Sequence, residues 1–487
     1  MNTYSFHTFM FPFRWKIKDL DNRPFSEQID LNNIRYTEPN NWDRVTKTEA
    51  GKESDDLYNE RNYFYEFVHP ALYDNNSEHS IIRHFERREP KHGGVTYCIV
   101  CGDKNHPEKY TLDVQAINLN LYSTGVGVLS IYLYNNRYPD PKAVLSINQY
   151  GRRVFPPFIA DVEERIELSH SIGFNGLNGV YEEDFNRYNN GVESNTPASF
   201  ITKMVHEVAE NIELQSVIDD RMFVLCWYKN DEWTKEFETD YNNFINNNKN
   251  WYEFVFVDKL GGLSCQNDTM RRKLIKNATY ARWQQNCSLY GVSRYSMVFL
   301  TNSATDIFAP FLFPYFETEY ARMAELVFMQ RATVLRFSSE ITHISNMSLS
   351  KDFGARVSSL YKEYIRFENQ IYFREVSAQD QGIEMYQLLF KAVNLEDQVK
   401  KLDEEIEELY NYVSLNEDRR TNRTMSLLTW ITTIFLPVTV TTGFFAMTNY
   451  VFDGKNNQHL LLQILILVCF SLIVILTTLT IKNKKIK

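Results

Sequence analysis

Cysteine is scarce in this chain. Six thiols in 487 residues are too few and too scattered for a disulfide scaffold, which suits a reducing compartment. An N-terminal export signal is also missing: Met1 to Lys18 lacks the basic start, continuous apolar core and small-residue cleavage site of a signal peptide, so membrane insertion is expected to be directed from elsewhere. Internal repeats are absent. No glycine-rich phosphate loop occurs, because Gly51-Lys52 lacks the preceding glycine and Gly125-Val126-Gly127 reads as a turn between strands. Excess positive charge is lacking as well. The net charge is −10, and since residues 421 to 487 carry six Lys or Arg against one Asp, the first 420 residues sum to −15, which argues against a nucleic-acid surface spread over the body. What is present is 44% hydrophobic and 15% aromatic content, enough for two or three packed domains.

Long apolar runs are confined to the C-terminus. Met425 to Phe445 holds no charge over 21 residues, roughly 30 Å of helix and the thickness of a bilayer core. Leu460 to Ile481 does the same. The polar loop Asn449 to His459 between them is too short for anything but an antiparallel hairpin. Arg419, Arg420 and Arg423 precede the first span and Lys482, Lys484, Lys485 and Lys487 follow the second, which predicts two spans with both ends cytoplasmic. A buried hairpin in a soluble protein would leave these basic clusters unexplained. The second span is almost purely aliphatic. The first is rich in threonine and carries Pro437 mid-span, and its helix-spaced line through Asn422, Met425, Thr429, Thr432, Leu436, Thr439 and Gly443 either lines a pore or holds threonines that back-bond to their own helix.

Upstream, apolar residues fall at Met385, Leu388, Ala392, Leu395, Val399, Leu402, Ile406, Leu409 and Val413 in alternating steps of three and four, a coiled-coil seam. No Pro or Gly interrupts 383 to 436, so stalk and first span are expected to form one helix of roughly 80 Å, packed with copies of itself around an axis. The domains expected are 1–266, an N-terminal α/β sensing body; 267–377, a helical region; 378–424, the stalk; 425–445, the first span; 446–459, the outer loop; 460–481, the second span; and 482–487, a basic tail.

The run Thr421-Asn422, Met425, Leu428-Thr429, Thr433 to Pro437, Thr439, Gly443 and Met447 resembles the pore helix of the CorA family of divalent-cation transporters. The resemblance implies an α+β membrane protein: a homopentamer in the cytoplasmic membrane with a mixed α/β cytosolic funnel, a stalk continuous with the pore helix, and a second helix facing lipid. Carried over by position and completed from the helix spacing, the pore-lining residues are Asn422, Met425, Leu428, Thr432, Leu436, Thr439 and Gly443. The family's Gly-Met-Asn signature is broken here to Ala446-Met447-Thr448, with Asn449 one place later, which puts magnesium selectivity in doubt.

In the body, alternation predicts strands at Tyr110 to Tyr122, Val126 to Tyr134, Val144 to Asn148, Met222 to Tyr228 and Trp251 to Val257, and a hairpin at Ser123-Thr124-Gly125. Gly173 to Asn195 reads as a loop and 312 to 375 as helical, with breaks near Ser348 and Gly354. Cys98 and Cys101, followed by His106, form half of a zinc knuckle without its second half; two strand cysteines are the competing reading. No nucleophile, base and oxyanion set is legible, so an enzyme is not expected.

A ligand site is. Arg87-Arg88 can pair with Glu86 and Glu89, and Arg271-Arg272-Lys273 reads as a surface face. Arg152-Arg153 has no acid nearby in sequence and suits a phosphate, with Gly151 permitting close approach; Asp219-Asp220 would accept from ribose hydroxyls or an amine. Salt bridging on the surface is the competing reading for both pairs. Taken with the altered signature and the enlarged body, these features resemble the CorA-like proteins of type III CRISPR systems. That branch implies an antiviral effector channel opened by a nucleotide messenger, adenylated S-adenosylmethionine (SAM-AMP). It implies no required cofactor, magnesium as a candidate ion, and as partners its own copies, the bilayer and a small nucleotide, without direct nucleic-acid binding. The alternatives are a constitutive magnesium transporter regulated by cytosolic metal and a non-conducting membrane-anchored adaptor.

Overall fold

The computed structural model describes residues 3–20, 23–37, 41–46, 55–89, 94–103, 105–155, 169–185, 197–218, 220–258, 263–347 and 351–447, together with residues 465, 469, 472 and 473. The chain divides into two units, Met1–Ile406 and Glu407–Lys487.

The first unit is mixed α/β and, among the described residues, centres on a sheet of 13 strands. In chain order these are β1 Ser5–Ile17, β2 Asp43–Arg44, β3 Ile82–Arg88, β4 Thr96–Asp103, β5 His106–Tyr122, β6 Val126–Asn135, β7 Ser171–Asn175, β8 Tyr181–Asp184, β9 Ile212–Ser216, β10 Phe223–Lys229, β11 Thr279–Tyr280, β12 Leu289–Val292 and β13 Ser296–Thr301. The main path runs β11-β12-β13-β10-β1-β6-β5-β4-β7-β8, with β9 joined to β1, β3 to β5 and β2 to β3. Among the described residues every ladder is antiparallel except β10 with β13.

Strand β1 explains the layering. Its run Phe9-Met10-Phe11-Pro12-Phe13 is buried throughout, as expected of a strand covered on both faces. On one face, Asn148 of the helix Pro141–Gly151 reaches the His7 ring. On the other, the Phe328 ring of the helix Ala321–Ser345 lies tilted against Phe223, centroids 4.1 Å apart, and the β1 partner of Phe223 is Met10. His7 and Met10 are three places apart, so they point to opposite faces, and the sheet lies between two helical layers.

Along one edge β1 changes partner. Ser5 to Met10 pair with β10 and Phe13 to Ile17 with β9, leaving Phe11 and Pro12 in the interval. A proline, which lacks an N–H, is tolerated in a central strand where a ladder lapses. The interval faces the segment connecting β9 to β10.

Sequence periodicity held for β5, β6, β10 and the hairpin at Gly125, where φ is +72° and Gly125 donates its N–H to the Tyr122 carbonyl. It failed at two expected strands. Val144 to Asn148 lies in the helix Pro141–Gly151, started by Pro141 and by Asp140, whose side chain accepts from the Lys142 N–H. Of Trp251 to Val257, all but the last residue fall in the helix Lys249–Phe256, capped by Asn248 accepting from the Trp251 N–H and ended by Val257 in a left-handed conformation. In both, a short apolar run was ambiguous by period, and the cap decided it. The expected loop Gly173 to Asn195 instead contributes β7 and β8, while residues 186–196 lie outside those described. Gly354 does not break the helix Lys351–Gln370; Ser348 lies outside the described residues. The sheet also runs through Asn267, since β11 to β13 follow it.

The expected uninterrupted stalk is divided at Asn394, which takes a left-handed conformation (φ 53°, ψ 43°) between the helices Asp380–Val393 and Leu395–Met447. Asparagine tolerates this conformation better than most residues. The seam residues Leu395, Val399, Leu402 and Ile406 are buried within one chain, and Tyr364 of the helix Lys351–Gln370 donates to Asp403 at 3.2 Å. This stretch of seam is therefore filled intramolecularly rather than left open for other copies.

In the second unit, the helix that begins at Leu395 continues past Pro437 to Met447. Its 53 residues correspond to about 80 Å. Apolar side chains along it stand exposed, among them Met425, Leu427, Ile431 and Phe435. Among the described residues no helix is long and apolar enough to cross a membrane. The expected outer loop 446–459 begins within this helix at Ala446 and Met447; the rest of it and the expected span Leu460 to Ile481 lie outside the described residues, apart from residues 465, 469, 472 and 473.

Candidate functional site

Two places carry the candidate residues. On the long helix, Asn422, Met425, Leu428, Thr432, Leu436, Thr439 and Gly443 fall at steps of three and four, so they share one face. All seven are exposed in the single chain. The threonine hydroxyls are satisfied inside the helix: Thr429 donates to the Met425 carbonyl at 2.7 Å, Thr432 to Leu428 at 2.8 Å and Thr439 to Phe435 at 2.8 Å. Back-bonding of this kind lets a threonine face either lipid or a pore. Of the outer signature, Ala446 and Met447 are in the helix backbone, whereas Thr448 and Asn449 lie outside the described residues.

The second place is in the body. Arg152 and Arg153 follow the helix Pro141–Gly151 rather than a strand, and both are buried, at 1% and 4% exposure. Backbone bonds lock them to the start of β10: Met222 donates to the Arg152 carbonyl at 2.7 Å and Val154 to Asp220 at 2.9 Å, with Arg153 bridged to Arg221. The two arginines then diverge. Arg153 donates to Asp220 Oδ2 at 2.6 Å, while Arg221 meets Oδ1 of the same carboxylate at 3.0 Å. Asp220 thus bridges two guanidiniums. Asp219 lies outside the described residues. Gly151 serves packing instead of ligand approach, because a Cβ there would lie 2.7 Å from Ile99 and 2.8 Å from Phe9.

Arg152 turns the other way, donating to the Val257 carbonyl at 3.1 Å and lining a cavity of about 210 Å³. The cavity sits at the β1 interval, with Pro12 in its wall, and is lined from both helical layers. Three further arginines line it: Arg221 ahead of β10, Arg294 in the β12–β13 turn and Arg331 of the helix Ala321–Ser345. Arg331 is three residues from Phe328, also a lining residue, so both project from one helical face. The Tyr295 ring lies under two of the guanidiniums, 5.6 Å from Arg152 and 5.3 Å from Arg221. No Asp or Glu stands among the described lining residues.

Sequence reasoning found Arg152 and missed Arg221, Arg294, Tyr295 and Arg331. These come from three separated segments, and the only local signal was Ser293-Arg294-Tyr295-Ser296, a polar turn between two apolar runs. The other basic clusters pair as their spacing suggests: Arg87 with Glu89 and Arg88 with Glu86, each at 2.7 Å, and Arg271 with Asp268. Cys98 and Cys101 lie on β4 in unbroken register with β5, three residues apart and hence on opposite faces. They cannot share one metal ion. Among the described residues no group of three His, Cys, Asp or Glu could hold one.

No curated protein matches the chain. Among solved structures it is similar to the complete structure of the CorA magnesium transporter from Methanocaldococcus jannaschii, with 12% identity over 55% of this chain and 93% of that one, at a TM-score of 0.23. A superposition that loose carries no argument about the fold. Residues 347–482, however, match the sequence family described as CorA-like Mg2+ transporter protein. The C-terminal part of the chain, including the helix Leu395–Met447, is thus similar in sequence to that family.

Proposed function

We propose that the protein is a CorA-type membrane conductor of cations, assembled from several copies around its long C-terminal helix and gated by a ligand held in its α/β body. The match of residues 347–482 to the CorA-like family carries this reading. It coincides with a helix whose exposed apolar side chains need lipid or neighbouring copies to cover them. In its finer form the reading is a pentameric antiviral effector of a type III CRISPR system, seated in the cytoplasmic membrane by two spans. SAM-AMP opens the ring at Asn422, Met425 and Leu428, and ions leak until growth stops. A ligand drives such a switch only through its differential affinity for the open form, on the order of 5 kcal/mol for a full shift. The size of the body favours a sensing role, since a 13-stranded sheet is far more than an anchor requires.

The second reading, a magnesium transporter controlled by cytosolic metal, is favoured by the family description itself. Ion flux in liposomes separates the readings. Flux that appears only with SAM-AMP at fixed magnesium supports the effector. Flux set by magnesium alone makes this a transporter, and no flux under either condition leaves an adaptor.

A further inference from the structure

We propose that the arginine-lined cavity at the β1 interval binds the phosphate group of a small phosphorylated ligand, with Arg221, Arg294 and Arg331 as its contacts and Asp220 as a positioning residue. The inference deepens the ligand-gated reading and rests on it for its consequence, though not for binding itself. Four guanidiniums from four segments border about 210 Å³, a convergence of positive charge that favours an anion in the space between them. Guanidinium rather than ammonium is the group suited to bidentate phosphate recognition.

The side chains are also pre-set. Asp220 fixes Arg221 at 3.0 Å, and the Tyr295 ring lies against both Arg152 and Arg221, which lowers the ordering cost of binding. Arg152 is committed to the Val257 carbonyl and buried, so it supplies field more than contact. Arg294 is exposed and stands at the mouth. The volume equals roughly seven water molecules' share of the liquid, enough for a phosphate with part of its substituent. The rest of a nucleotide would extend outward past Arg294.

The test is calorimetric titration of the full chain in detergent with AMP, inorganic phosphate and adenosine. AMP should bind and adenosine should not. Arg294→Ala and Arg331→Ala should each weaken AMP about tenfold or more, the loss expected for a hydrogen bond to a charged group. Arg294→Lys should keep part of the affinity, and Arg88→Ala, at an exposed arginine elsewhere, should keep all of it. AMP binding tighter than phosphate assigns the site to a nucleotide; equal binding assigns it to free phosphate. No binding of either anion overturns the proposal, as does wild-type affinity in an Arg294→Ala protein of unchanged melting temperature. Binding lost on Arg294→Ala, in a protein whose flux ignores all ligands, would sink gating and leave the site. Ligand-dependent flux that survives both Ala variants would sink the site and leave gating.

Discussion

His7 should make the body acid-sensitive in a way that one substitution removes. Its imidazole is fully buried in β1, with Nδ1 2.7 Å from Asn148 Oδ1 and Nε2 2.8 Å from Ser5 Oγ. Since a carboxamide oxygen only accepts, Nδ1 carries the proton and Nε2 accepts from the serine, the neutral tautomer. Burial pushes the ring from 6.5 down to about 4, and the bond to Asn148 offsets part of that fall. The folded state therefore takes up its proton at lower pH than the unfolded chain. Stability from this group is fully present above pH 6.5, falls as pH drops through the window from 6.5 to about 4, and stays lost below it. The gap amounts to about 3 kcal/mol. In a unit of this size that moves a melting temperature by on the order of 5 °C. The assay is the melting temperature of the full chain from pH 7.5 to 4, compared with His7→Gln, which keeps a donor toward Asn148 but cannot titrate. His84 and His206, both also lowered by burial, act alike in both proteins and cancel. The wild type should lose the larger share of its stability on acidification. Parallel pH profiles would refute the reasoning.

Gly125→Ala should destabilise the body by more than 3 kcal/mol, because φ is +72° there and the added Cβ would overlap the Arg336 guanidinium, itself bound to the Trp15 and Gly125 carbonyls; thermal melts check it. Asp220→Ala leaves the buried Arg153 without its 2.6 Å partner and should cost about 3 kcal/mol, read as a lowered melting temperature. Phe328→Ala, removing a ring 4.1 Å from Phe223 and 2% exposed, should cost about 3 to 5 kcal/mol while enlarging the arginine cavity. On the proposed pore face, Met425→Ala and Leu428→Ala should raise basal liposome flux severalfold and leave the melting temperature of the body unchanged; reduced flux would count against a constriction there.

The C-terminal helix was the easiest part to read, because charge-free composition and a period of three to four survive without knowledge of any partner. Its division at Asn394 was missed because the apolar seam runs across it from Ala392 to Leu395 without a break, although asparagine is among the few residues that end a helix in the left-handed conformation. The seam misled for a related reason. Leu395 to Ile406 has the pattern of a coiled coil, yet the same pattern serves a helix lying against Lys351–Gln370 of its own chain. Spacing states that a face is covered without stating by what. In the body, strands of ten or more residues such as β5 and β6 were recovered, while runs of five to seven apolar residues at Val144 and Trp251 turned on the caps Asp140 and Asn248.

The arginine cavity shows how far local reading reaches. Arg152 and Arg153 drew attention because no acid lies near them in sequence, yet folding brings Asp220 to Arg153 across 67 positions and leaves Arg152 among arginines from three other segments. Sequence distance to a carboxylate therefore ranked the pair correctly as unusual and assigned its members poorly. The feature that builds the site is Pro12, which falls where β1 exchanges β10 for β9. A proline inside a buried aromatic strand marks a ladder that lapses. A lapse in a sheet covered on both faces is where residues from the two helical layers can meet.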